Sequence, residues 1–224
     1  MVESIETSEF AIAFKRMLKE QLQARGITEE RLIEAMKNRP RELFVDEALK
    51  NQAYIDAPLQ IGEGQTISQP YIVGLMTQAL ALKGTEKVLE IGTGCGYQTA
   101  ILSSLVQKVY TIERFKSLAL RARERLLKLN CRNVVMRIGD GSYGWSEAAP
   151  FDAIIVTCAA PQIPESYLAQ MAVNGRMILP VAADHSDQNQ ILVLVTKTES
   201  GFKQENLAPC RFVPLVGEFG FKAT

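Results

Sequence analysis

Apolar residues recur at near-helical spacing through the first third of the chain. Phe10, Phe14, Met17, Leu18 and Leu22 fall on one face, and Gly26 supplies a stop. Thr28 then stands where a helix cap would, with Glu29 and Glu30 in the first turn and Leu32, Ile33 and Met36 as the apolar set. Pro40 ends that helix or opens a short third one holding Phe44 and Val45. Between Tyr54 and Pro70 the period vanishes. The stretch IGEGQTISQP holds two glycines, a proline and several small hydroxyl or amide side chains. Ser68 is a candidate cap for the helix beyond it, with Pro70 tolerated in the first turn and Gly84 closing it.

From Lys87 the pattern changes. KVLEI (87–91), KVYTI (108–112), VVMRI (134–138), AIIVT (153–157) and MILPV (177–181) read as strands, with helices over 97–106, 117–129 and 165–171. Apolar runs separated by helices predict parallel strands covered on both faces. ILVLVTK (191–197) and FKQENL (202–207), joined by a tight Glu-Ser-Gly turn, predict an antiparallel pair. No repeat or low-complexity linker interrupts the chain, and 224 residues suit one core. The expectation is a single domain over 1–224, with 1–83 as a helical cap on a Rossmann-like core over 84–224.

Composition narrows the partners. A hydrophobic content of 47% opposes disorder, and 25 Lys and Arg against 25 Asp and Glu supply no general field for nucleic acid. Cysteines at 95, 131, 158 and 210 form neither a CxxC pair nor a disulfide framework, so a reducing, cytoplasmic compartment is the default. The first ten residues, MVESIETSEF, lack the apolar stretch of a signal peptide, and no run approaches the roughly 18 apolar residues of a membrane span.

Glu90-Ile91-Gly92-Thr93-Gly94-Cys95-Gly96-Tyr97 follows a strand and opens a helix. Glycines there allow a tight turn and let a ligand lie against the backbone at a helix N-terminus. The spacing is GxGxG, neither a dinucleotide fingerprint nor a phosphate loop. Glu113, 21 positions after Gly92, ends the second strand, where a carboxylate can accept both ribose hydroxyls of an adenosine-containing ligand. Alone it reads as a solvated partner of Arg114 or Lys116, and it is the loop and the acid together that favour an adenosine site. Asp140, in Gly139-Asp140-Gly141, can accept from an adenine amine or stabilise its own turn. The single histidine, His185, sits in a polar loop, and no catalytic triad or metal cluster is visible.

These residues belong to a wider pattern. RELFV (41–45), AYIDAPLQIGEGQTISQPYIVGLM (53–76), VLEIGTGCGYQTAIL (88–102), VYTIER (109–114), GDGSYGW (139–145), APFDAIIVTCAAPQIP (149–164), GRMILPV (175–181) and RFVPLVG (211–217) resemble the protein-L-isoaspartate(D-aspartate) O-methyltransferase family, over roughly residues 10 to 217. GQTISQP, GDG–GW and FVPLVG are its more specific parts.

The resemblance implies an α/β class I S-adenosylmethionine-dependent methyltransferase fold, a mostly parallel seven-stranded sheet with helices on both faces and N-terminal helical additions. It implies S-adenosylmethionine as donor, S-adenosylhomocysteine as product and the free carboxylate of L-isoaspartyl residues, more weakly D-aspartyl, as acceptor. Repair then proceeds through a succinimide. Glu90 with Gly92, Thr93, Gly94, Cys95 and Gly96 would support the donor's amino-acid portion, Glu113 the ribose, and Asp140 with Gly141 the adenine. Gln65, Thr66, Ile67 and Ser68 map to the substrate segment, with Ser68 and Thr66 on the catalytic side. By the resemblance Ser68 would be the active-site hydroxyl, against the plainer reading of a helix cap. Backbone near Val216 and Gly217 would receive an extended peptide. Cys95 departs from a frequent serine and introduces an expectation of oxidation sensitivity. Partners would be isoaspartyl-containing peptides and proteins, with no nucleic acid, membrane or metal and a monomer as the default. Rival readings are an RNA or small-molecule methyltransferase, a nicotinamide oxidoreductase and a noncatalytic protein-binding module.

Overall fold

The computed structural model describes residues 9–183 and 189–222. Helix α1 (Ala11–Arg16) widens into a π-helical turn over Met17–Leu22, tightens at Gln23–Arg25 and stops at Gly26, whose φ is 84°. Phe14, Met17 and Leu22 from this run are buried. Helix α2 (Glu30–Lys37) begins later than a Thr28 cap would place it. Glu29 holds the cap position, without a side-chain bond. The amides of Thr28 and Glu29 donate instead to Gln78 Oε1, at 2.9 and 3.1 Å, and Gln78 Nε2 donates to Gly26 O. Gln78 lies on helix α3 (Pro70–Ala79). A side chain some fifty residues away does the capping. After Pro40 only a 3-10 turn forms, over Arg41–Phe44, and Val45 is already extended.

The stretch without periodicity is a hairpin rather than a loop. Strands β1 (Leu59–Gly62) and β2 (Gln65–Ile67) pair antiparallel, with Leu59 and Ile61 turned inward. Two contacts hold it to helix α5 (Lys116–Lys128): Arg121 Nη2 donates to Ile61 O at 2.9 Å, and Ser117 Oγ donates to Glu63 Oε1 at 2.5 Å. Ser68 caps nothing. Gln69 is the cap residue of α3, again without a side-chain bond, and the helix ends at Ala79 well before Gly84.

The main sheet comprises β3 (Lys87–Ile91), β4 (Lys108–Glu113), β5 (Val134–Ile138), β6 (Phe151–Val156), β7 (Met171–Ala182), β8 (Gln190–Thr198) and β9 (Gly201–Cys210), in the order β5-β4-β3-β6-β7-β8-β9. Strands β3 to β7 are parallel, and β8 runs against both its neighbours. Helices α4 (Tyr97–Leu105) and α6 (Glu165–Gln170) complete the crossovers with α5. Residues alternate between two cores, as a sheet covered on both faces requires. Val88, Ala153, Ile155 and Ile178 join Phe14, Met17, Leu22, Leu32 and Phe44 from the N-terminal helices. Leu89, Ile154, Val156 and Met177 face Tyr167 and Phe151 on the other side.

The chain winds from β3 to β5 in one direction and returns to place β6 on the other flank of β3. That reversal opens a crevice beyond the carboxyl ends of β3 and β6. Gly96, at φ 90°, caps α4 and lets it abut α5, where an added Cβ would lie 3.3 Å from Ala122 Cβ and 3.6 Å from Leu126 Cγ. Gly96→Ala should therefore destabilise the fold by about 1–3 kcal/mol, combining left-handed strain with crowding. Denaturant unfolding measures this, and an unchanged midpoint would contradict the packing account.

Candidate active site

The glycine loop leaves β3 through Gly92, at φ 94°, whose amide donates to Ile112 O at 2.9 Å. A Cβ on Gly92 would run into Thr157 Oγ1. That hydroxyl instead donates toward the carbonyls of Ile91 and Gly92, at 3.0 and 2.7 Å. Below the loop lies a chain of hydroxyls. Thr99 and Thr111 each donate to Glu90 Oε2, at 2.5 and 2.6 Å. Thr111 has one proton, so Thr93, 2.6 Å away, donates to Thr111.

Glu90 itself is fully buried, and its Oε1 has no partner. Burial pushes its carboxyl up to about 8; the threonine hydroxyls pull it down and the charge of Glu113 raises it further. Glu90 thus lies under the loop and outside the cleft lining. Its support for a donor is indirect, through Thr93 and Thr111. Cys95 lines the cleft, but burial raises its thiol above the ordinary range. The expected oxidation sensitivity loses its physical basis, because the thiolate is the reactive form. Gly96 does not line the cleft.

Glu113 stands at the end of β4, with one oxygen accepting from Gly94 N at 2.8 Å and the other from Phe115 N at 2.9 Å. An ionised carboxylate keeps further acceptor capacity beyond those two bonds. It borders a cleft with about 870 Å³ of open space. Gln65, Thr66, Ile67 and Ser68 line the cleft together with Gly92, Thr93 and Gly94, and Val216 and Gly141 line it too. The hairpin and the glycine loop, separate in sequence, therefore share one chamber. Its apolar wall includes Val73, Met76, Ile112, Val213 and Leu215.

Asp140 accepts from two backbone amides and stands outside the cleft lining. Burial works against its charge, yet the amides of Glu218 and Ser142 hold its carboxyl below the ordinary range. Both bonds are 2.8 Å. Asp140 caps the turn Gly141–Tyr143 and ties down the C-terminal segment, which is the turn-stabilising alternative. Gly217 stands outside the cleft lining, and Asp140 fills the space where a side chain there would project.

Thr157, Arg114, Tyr97 and Gln98 also line the cleft and were not singled out from sequence; Cys158, just beyond a strand, lines it too. Thr157 had a usable signal, since it ends the strand flanking the glycine-loop strand. Arg41 had none beyond its place in RELFV. It is completely buried, with Nε donating to Ala53 O and Nη2 to Ser68 O, both at 2.7 Å, and its guanidinium sits 5.1 Å over the Tyr97 ring. Cys131 is buried and Cys210 half-buried, while His185 lies outside the described residues. Among the described residues no group of three His, Cys, Asp or Glu could hold a metal, and no helix is long and apolar enough to cross a membrane.

Comparison with known proteins adds an independent line. Residues 13–220 match the family model described as Protein-L-isoaspartate(D-aspartate) O-methyltransferase (PCMT). A protein-L-isoaspartate O-methyltransferase of Geobacter metallireducens is 54% identical over 213 residues, covering 95% of this chain and 97% of its own. One from Syntrophus aciditrophicus is 56% identical, covering 92% and 94%. A solved protein-L-isoaspartate O-methyltransferase superimposes with a TM-score of 0.82 at 27% identity, over 93% of this chain and 66% of its own. A beta-aspartate methyltransferase (PCMT) from Plasmodium falciparum in complex with S-adenosyl-L-homocysteine gives 0.78 at 26% identity, over 91% and 98%.

The buried carboxyl of Glu90 makes stability depend on pH. Its folded value is raised, so between about pH 4.5 and 8 the unfolded chain is ionised while the folded chain retains the proton. The folded state binds more protons, and stability from this group falls as pH rises through that window. Glu90→Gln removes the effect and should gain on the parent by more than about 1 kcal/mol between pH 5 and pH 8, one pKa unit being about 1.4 kcal/mol. Melting of both proteins at the two pH values decides it; a constant gap would mean that Glu90 is ionised throughout.

Proposed function

The chain belongs to the protein-L-isoaspartate(D-aspartate) O-methyltransferase family, and on that premise we propose that it transfers a methyl group from S-adenosylmethionine to the free carboxylate of L-isoaspartyl residues, more weakly D-aspartyl, in damaged proteins. The observation that carries this reading is the meeting of Gln65–Ser68 with Gly92–Gly94 and Glu113 around one cleft.

The cleft suits the donor: Gly92 and Gly94 let a ligand lie close to the loop backbone, and Glu113 lines the cleft as an acceptor carboxylate. When bound, S-adenosylmethionine supplies a methyl group on a cationic sulfur, with a neutral thioether as the leaving group. Glu113 would accept the ribose hydroxyls, and Gly141 would meet the adenine edge. The Ser68 hydroxyl, free of any capping duty, would donate to the acceptor carboxylate and hold it in line with the methyl carbon. Thr66 and Gln65 flank that position, and backbone at Val216 would receive the peptide in extended form. No base is required, since the acceptor is ionised well below neutral pH. The walls at Val73, Met76 and Leu215 exclude water from the reacting atoms.

The ester formed is neutral and carries a good leaving group. The neighbouring backbone nitrogen can then attack its carbonyl and expel methanol, closing a succinimide whose hydrolysis returns some normal aspartyl linkage. The acceptor segment must be flexible to enter the cleft. Four free cysteines support a reducing, cytoplasmic setting.

Labelled methyl should pass to an isoaspartyl peptide and not to the aspartyl peptide of identical composition; equal labelling of both would remove the repair assignment. Ser68→Ala should lower kcat/KM by roughly tenfold or more, the order expected for losing a hydrogen bond to a charged group. S-adenosylhomocysteine affinity should stay within about twofold and stability within about 0.5 kcal/mol. Glu113→Gln should show the opposite division, with donor affinity down about tenfold. Calorimetric titration with S-adenosylhomocysteine separates the two variants.

A further inference from the structure

Arg41 is a buried cation. Its guanidinium is completely buried, and Nη1 has no hydrogen-bond partner. Among the described residues it makes no ion pair. The nearby acid, Glu42, is engaged by the Tyr54 hydroxyl, which in turn accepts from the Arg41 amide. The guanidinium faces Tyr97, Cys95 and Tyr54. Arginine stays charged at any pH where the protein folds. Burying such a charge costs several kcal/mol unless something compensates it, and a clamp on two carbonyls needs only neutral donors. One of those carbonyls belongs to Ser68, and Tyr97 and Cys95 line the cleft.

We infer that Arg41 is a positioning residue for the acceptor: it fixes the Ser68 backbone and lends an uncompensated positive charge that draws the acceptor carboxylate toward the Ser68 hydroxyl. The inference rests on the function proposed above and assigns the source of that site's preference for an anion.

Two variants separate charge from scaffold. Arg41→Lys keeps the charge and loses the fork; Arg41→Gln keeps a neutral donor and loses the charge. Each is measured for kcat and KM on an isoaspartyl peptide, for S-adenosylhomocysteine affinity, and for inhibition by the same peptide with isoasparagine, an uncharged amide, at the damaged position. The Gln variant should raise KM for the acid about tenfold, as loss of one nearby charge implies. Its affinities for the amide peptide and S-adenosylhomocysteine should stay within about twofold. The Lys variant should retain the preference for acid over amide. The inference is overturned if both variants lose acid binding alike, or if amide and S-adenosylhomocysteine binding fall in step with it. Should the Gln protein fail to fold, the Lys protein decides alone, and a folded Lys variant indifferent to acid and amide is the contrary result. A parent enzyme that does not methylate the isoaspartyl peptide would instead overturn the functional reading, and this inference with it.

Discussion

The site depends on how the backbone is held where the sheet reverses direction. β3 and β6 end side by side, and the Thr157 hydroxyl reaches across to the carbonyls of Ile91 and Gly92. The Ile91 carbonyl already accepts from the Thr157 amide at 2.9 Å, and the hydroxyl extends that hold to Gly92 at the end of a buried strand. The contact requires that residue 92 have no side chain, and it fixes the direction in which the glycine loop departs. Glu113 grips the same loop from the other flank, through Gly94. The crevice that strand order creates thereby becomes a chamber of fixed shape, which the hairpin β1–β2 roofs.

The central strands and helices were legible because each is a long apolar run with a clear period. Val88 to Ile91 and Ala153 to Val156 are buried almost throughout, and such runs have little else to become. The hairpin was not legible. Its strands hold four and three residues, too few for an alternation to show against two glycines and several polar side chains. Ser68 failed as a cap because Gln69 takes that position without a side-chain bond, and Thr28 failed for another reason. Local sequence registers a residue able to cap, whereas Gln78 arrives from a distant helix and satisfies the amides first. The strand order at the far edge, with β8 reversed between β7 and β9, likewise depends on long-range pairing.

The candidate site shows the same division. The motifs located the cleft well: the glycine loop, Glu113 and Gln65–Ser68 converge on it. They could not say which way each carboxylate points. Glu90 and Asp140 both sit in the right motifs, yet one is buried beneath the loop and the other holds two backbone amides. A motif records that a residue type is needed at a place. Only packing reveals whether the need is for contact or for support. Arg41 is the converse case, a buried charge behind the cleft that no periodicity could bring forward.

The bonds of Asp140 carry a mechanical consequence. One carboxylate anchors both the turn bearing Gly141 and the amide of Glu218, while the Ser142 hydroxyl accepts from the amide of Phe219 and the rings of Tyr143 and Phe219 meet edge to face. Two rims of the chamber that are far apart along the chain are thus riveted at a single joint. Neither can shift without dragging the other, so the chamber's width on that side is set by one hinge pin rather than by two independent walls.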